Sequence, residues 1–166
     1  IVFQALLGMW TVTWLLKPVV VMGHLLGGLT TLSFLTWLAC RASPLAALHS
    51  AGAWKLRGAM IVVLVLVSIQ IALGGWVSAN YAALACGTDF PTCLGKWWPD
   101  TDFSEAFVLW RGIGADYEGG VLDGPARAAI QISHRLFAIV AAVGVIWLAL
   151  KIRRVPEISG WGTTLL

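Results

Sequence analysis

The sequence predicts an all-α, polytopic transmembrane helical bundle, and three observations predict it. Of the 166 residues, 59% are hydrophobic and 11% charged, whereas a soluble domain carries about 25% charged residues. Four segments, 1–16, 19–40, 59–79 and 128–150, are apolar enough to cross, or to begin crossing, a hydrocarbon core that needs about 20 helical residues. The charges also sort by loop. Arg41, Lys55 and Arg57 lie between the second and third segments and Lys151, Arg153 and Arg154 follow the fourth, while seven of the eight acids fall within 80–127. By the positive-inside rule the two basic places are cytoplasmic, which puts the acidic loop outside. The net charge of +3 therefore reports orientation and gives no reason to expect a nucleic-acid partner.

The first segment opens inside an apolar run with no initiator Met. It has neither a basic n-region nor a small-residue cleavage site, so it reads as a truncated helix of a longer protein, not as a signal peptide. Lys17 and Pro18 form a tight turn into the second segment, where Gly23, Gly27 and Gly28 flank His24. Such small residues let helices, or a flat ligand, approach a backbone in lipid. Cys40 reads as a small apolar residue at the helix end, and His49 as a solvated or interfacial loop residue. In the long loop, Trp97 and Trp98 beside Lys96 and Pro99 suit an interfacial aromatic belt. The stretch from Phe103 to Tyr117 has the pattern of a short amphipathic surface helix, which Gly112, Gly114, Gly119 and Gly120 break in its second part. His134 and Arg135 sit in the fourth segment, and 160–166 has the composition of a further segment beginning.

The chain also resembles itself. Gln4, Leu7, Gly8 and Trp10 recur at the same spacing as Gln70, Leu73, Gly74 and Trp76, and each copy is followed by an apolar segment with one histidine. Both copies run from inside to outside and back, so the reading is a parallel duplication of a helix pair. The division that follows is 1–57, ending an N-terminal half, and 58–166, starting a C-terminal half. His24 lies six residues past Pro18 and His134 seven past Arg127, which at 1.5 Å per residue puts both about 10 Å below the outer surface.

Cys86 and Cys93 enclose six residues of the outer loop. An oxidising compartment favours a disulfide there, and closing so small a loop removes about 2–3 kcal/mol of unfolded-state entropy. A pair of metal ligands and a redox-active dithiol are the alternatives, and neither has the CxxC spacing of those motifs.

A neutral imidazole in a bilayer must satisfy one donor and one acceptor, and a carbonyl on the next helix is the plainest partner. Proton relay, an ion pathway and axial haem ligation compete with that structural role. The spanning segments contain no Asp or Glu, which argues against a proton pump. Haem ligation asks for histidines on facing helices, apolar walls, glycines where the ring meets backbone, and a cation for the propionates. Arg135 is the candidate cation, with snorkelling to pair with loop acids as its alternative.

The runs Leu73-Gly74-Gly75-Trp76-Val77, Leu84-Ala85-Cys86, Phe90-Pro91-Thr92-Cys93 with Gly95, and Ile130 to Ser133 with His134-Arg135 resemble the haem A synthase family. So do Gln4-Ala5-Leu6-Leu7-Gly8 and Gly23-His24-Leu25. The resemblance covers nearly the whole chain. It implies an eight-helix membrane oxidoreductase of two four-helix halves, of which this chain matches helices three to six. That enzyme oxidises the C8 methyl of haem O to a formyl group, giving the haem A of terminal oxidases. On the same implication His24 is a catalytic-site iron ligand for the substrate porphyrin, and His134 with Arg135 binds a haem b that carries electrons. Each histidine's ligand partner lies outside residues 1–166. The resemblance further implies a bacterial cytoplasmic or mitochondrial inner membrane, haem O and haem O synthase as partners beside lipid, and room for a homo-oligomer. A di-haem b-type electron-transfer module and a non-enzymatic membrane assembly protein are the competing functions. The segment 103–124 is longer than the family's usual outer loop.

Overall fold

The computed structural model describes residues 1–42, 51–112 and 114–159, so His49 lies outside the described residues. All of the regular structure there is helical: α1 (Val2–Thr13), α2 (Pro18–Ala42), α3 (Ala51–Lys55), α4 (Arg57–Ala79), α5 (Phe103–Ala106) and α6 (Gly124–Ile152), with a 3-10 turn at Pro156–Ile158. Helices α2, α4 and α6, of 25, 23 and 29 residues, are long and apolar enough to cross a membrane, while α1 has 12 residues and is shorter than a span. The run from Ile61 to Val67 is rich in β-branched residues yet helical. In hydrocarbon an isolated segment can satisfy its backbone groups only internally, so helix formation overrides strand propensity. The polar side chains inside these helices follow the same rule. Thr30, Thr31, Ser68 and Ser133 each donate to the carbonyl four residues back, at 2.7–2.9 Å.

The chain divides into two compact units, Ile1–Leu32 with Ala72–Arg135, and Ser33–Ile71 with Leu136–Leu166. The second unit is simple. Val63, Leu148 and Ile152 form its buried cluster, with Leu56, Met60 and Val145 packed on it, and Gly144 admits Leu66 to within 3.0 Å of where a Cβ would stand.

The first unit holds both predicted histidines and the long loop. Trp76 and Val77 of α4, Ala82, Ala106, Leu122, and Ala126, Ala129 and Ile130 of α6 make its core, with Met22 of α2 against it. The alanine-lined start of α6 lets the loop backbone come close, which bulky residues would prevent. Asp123 begins that helix: its carboxylate accepts from Ala126 N at 2.9 Å, and Pro125 occupies the first turn, where a missing N–H costs nothing. The helix thus starts three residues before Arg127, and His134 lies ten residues inside it, deeper along its helix than His24 in α2.

The loop is ordered by side chains and not by length of helix. Asp102 caps α5 by accepting from Ser104 N and Glu105 N at 3.0 and 3.1 Å, and the Trp76 indole N–H donates to Ala106 O at 2.9 Å. The amphipathic surface helix expected from Phe103 onward is only this single turn. Arg111 folds back to the Glu105 carbonyl at 2.7 Å and carboxylate at 2.6 Å, and Gly112 and Gly114 adopt positive φ, so the chain turns where the helix would have continued.

Candidate functional site

His24 projects from the first third of α2 and is exposed, with Leu25 and Leu26 exposed beside it. Its imidazole lies against α1 at Gly8, where a Cβ would stand 3.0 Å from Cε1. Any larger residue at position 8 would displace the ring by a few tenths of an ångström. Gln4, one turn earlier on the same face of α1, reaches the same residue: its Nε2 lies 2.9 Å from His24 Nδ1 and donates to the His24 carbonyl. The Gln4 amide in turn occupies the space left by Gly27 and Gly28, since a Cβ at either would press on it.

His134 is half-buried on α6, and its imidazole lies against Gly74 of α4, where a Cβ would stand 3.1 Å from Cε1. Both glycines that recur in sequence therefore face a histidine ring on the next long helix, by the same edge and at nearly the same distance. Arg135 points to the disulfide loop. Its guanidinium donates to Thr92 O at 3.0 Å and lies 5.8 Å from the Phe90 ring centre, so it meets a carbonyl and an aromatic face where pairing with a loop acid was the alternative. Cys86 and Cys93 are joined in a disulfide packed on Ala128 and Ile132 of α6, which anchors that loop beside Arg135. Among the described residues no three His, Cys, Asp or Glu side chains gather as a metal-binding group.

Lys17 is a residue whose importance the sequence did not disclose. It is 2% exposed, with its ammonium 3.2 Å from the centre of the Trp110 ring and donating to the Gly112 carbonyl. Tyr117 N donates to Leu15 O at 3.1 Å, and Trp14 stacks on Trp10 and meets Trp110 edge-on. These contacts strap Trp110–Gly112 and Tyr117 onto the turn between α1 and α2. Leu15 and Leu16 there have φ of 50° and 58°, a left-handed geometry costing about 1–2 kcal/mol per L-residue, which these contacts help to hold. The only sequence signal was the placing of a lysine at a tight turn beside tryptophans. A small cavity of about 90 Å³ remains under the strap, lined by Thr13, Lys17, Gly114 and Tyr117 among others.

The model of the cytochrome oxidase assembly protein family matches residues 1–164. The chain belongs to that family. Its relatives include a haem A synthase of Shewanella oneidensis, 44% identical over 92% of this chain and 46% of that protein. Haem A synthase 2 of Acidiphilium cryptum is 32% identical over 70% of this chain and 28% of that protein. The chain spans less than half the length of these relatives. No solved structure matches it. The resemblance to the haem A synthase family drawn from the motifs is thus borne out, and the chain is homologous to an oxidoreductase.

The family's implied group is haem, and the donor set fits one. An imidazole is an axial ligand for haem iron, and apolar walls suit the macrocycle. His24 is open on a helix surface whose neighbours Leu25 and Leu26 are exposed and apolar. Glycines at 8 and 74 bring each imidazole close against a helix backbone, which restricts how it can turn.

Proposed function

We propose that this chain is part of a haem A synthase, an integral membrane oxidoreductase that oxidises the C8 methyl of haem O to a formyl group through successive hydroxylations. The observation that carries the reading is the pair of glycine-backed imidazoles, Gly8 with His24 and Gly74 with His134, in a chain 44% identical to a named haem A synthase. In this reading the chain is a parallel repeat of helix pairs, with 1–57 closing an N-terminal half and 58–166 opening a C-terminal half. Segment 1–16 crosses the membrane as part of a fourth span. The loop 80–127 lies outside and the basic ends lie in the cytoplasm, as the charge distribution supports.

His24 holds the substrate porphyrin. His134 would hold a haem b, which would supply electron-transfer chemistry there, and Arg135 stands at the loop-bearing end, where its cation would meet the propionates. A haem supplies redox chemistry that no side chain of this chain can. The chain's own residues bind and orient. Gly8 and Gly74 set the imidazole planes, and the disulfide loop holds Arg135 through Thr92. The spanning helices exclude water around the methyl group to be oxidised. Substrate would come from a haem O synthase in the same membrane, and a second copy of the chain is a further partner. The test is haem extraction from cells. Deleting the intact parent gene should cause haem O to accumulate, and wild type but not His24→Ala should restore haem A. Normal haem A in the deletion strain would overturn the assignment and favour a simple electron-transfer role.

A further inference from the structure

The Gln4–His24 contact has a direction. Both N–H groups of an amide nitrogen are donors, and Gln4 directs them at one residue, to Nδ1 at 2.9 Å and to the His24 carbonyl. The carbonyl accepts only, so it fixes which end of the amide lies there: with the amide reversed, Oε1 would face the His24 oxygen. Nδ1 therefore accepts, and a neutral His24 ring carries its proton on Nε2. Gly27 and Gly28 are the room in which this amide sits, since a Cβ at position 28 would stand 3.3 Å from Nε2 and one at position 27 would strike Oε1.

A metal-ligating histidine ordinarily shows the opposite arrangement. Its second ring nitrogen donates its N–H to an acceptor, which fixes the ring and makes the ligating nitrogen more basic. In this chain the nitrogen nearer α1 receives a proton donor, and the other nitrogen carries a hydrogen. We infer that Gln4 is a positioning residue that holds His24 in the tautomer closed to iron, making it a weak and exchangeable axial ligand. For His24 to ligate through Nε2, the ring proton must move from Nε2 to Nδ1, with no net gain or loss of a proton. Nδ1–H then needs an acceptor, which the same side chain provides only by turning Oε1 inward, against the His24 carbonyl. Either the hydrogen bond to Nδ1 is lost or an oxygen–oxygen repulsion is accepted, and each weakens the bond to iron. A site that takes in one porphyrin and gives out another benefits from such a ligand, whereas a resident haem does not.

This inference rests on the reading of His24 as the ligand of the exchanging porphyrin. Its first test does not. In the haem-free, full-length protein labelled with ¹⁵N-histidine, with the His24 signals assigned by their loss in His24→Ala, the neutral ring should be protonated at Nε2. A ring protonated at Nδ1 overturns the inference, and this measurement needs no Gln4 variant to fold. The second arm measures transfer of the exchangeable haem from the full-length protein to apomyoglobin. Gln4→Met, of similar length but without a donor, should slow release several-fold, and unchanged or faster release also overturns the inference. If His24→Ala leaves haem content and release as in wild type, the ligand reading of His24 fails, and the tautomer result still decides what Gln4 does.

Discussion

Replacing Gly74 by Ala isolates the fit between α4 and His134. The new Cβ would stand 3.1 Å from His134 Cε1, where carbon atoms prefer about 3.5–4.0 Å, so ring or helix must retreat by about 0.5 Å. Alanine is favoured over glycine in a helix by about 1 kcal/mol, and overpacking a filled site costs about 1–3 kcal/mol. The two terms leave Gly74→Ala about 0–2 kcal/mol less stable than wild type. The control is Gly58→Ala on the same helix, where a Cβ meets nothing within 4 Å and only the favourable term remains. Thermal unfolding of the intact protein in detergent should place Gly74→Ala below wild type and Gly58→Ala at or above it. The low-spin haem spectrum should change only in Gly74→Ala, because only there does an imidazole move. Indistinguishable melting and spectra for the two variants would refute the reasoning that glycine is needed at 74 to seat His134.

Cys86→Ser with Cys93→Ser should cost about 2–3 kcal/mol of stability through the opened loop. Thermal melting of the double variant, compared with the oxidised wild type, checks it, and the reduced wild type should melt with the double variant. Lys17→Met should free the strap at Trp110–Gly112 by removing its bonds to Gly112 and Trp110, and limited proteolysis should cut there faster than in wild type while the helices remain protected. The Ser104 hydroxyl, bonded to Asp102 at 2.6 Å, holds that carboxyl below its ordinary value of 3.8. Its folded-state value is lowered, so the stability it contributes is present above the unfolded value and is lost as pH falls through the lower folded one. Asp102→Asn should therefore flatten the acid limb of loop stability below about pH 4, read by tryptophan fluorescence.

The long helices were legible because their cause is local. A run of apolar residues in hydrocarbon has no other way to satisfy its backbone, so the expected bounds 19–40, 59–79 and 128–150 fall within α2, α4 and α6. The repeated Gln-x-x-Leu-Gly pattern was legible as a pattern, but its physical content was not. That Gly8 and Gly74 face imidazoles depends on how successive helices pack, which spacing along one helix does not specify. Gln4 was legible as a mark of the repeat and of the family resemblance but not as a partner of His24, since nothing in sequence says which nitrogen it would meet. The loop was the least readable part. Its apolar stretch after Phe103 carries a helical pattern, but Arg111 folds back on Glu105 within it, and Lys17 and the Leu15 carbonyl bond its backbone from distant places in the chain. Arg135 was legible as a cation beside His134, but its contact with Thr92 O follows from the fold of the disulfide loop and not from charge.

The central claim is that His134 carries a resident haem in the intact parent protein, and the reduced-minus-oxidised spectrum of that protein tests it most directly. Wild type should show a low-spin b-type haem. His134→Ala should lose that signal, and His24→Ala should retain it, because the two histidines are assigned to different haems. A normal low-spin spectrum in His134→Ala would contradict the account.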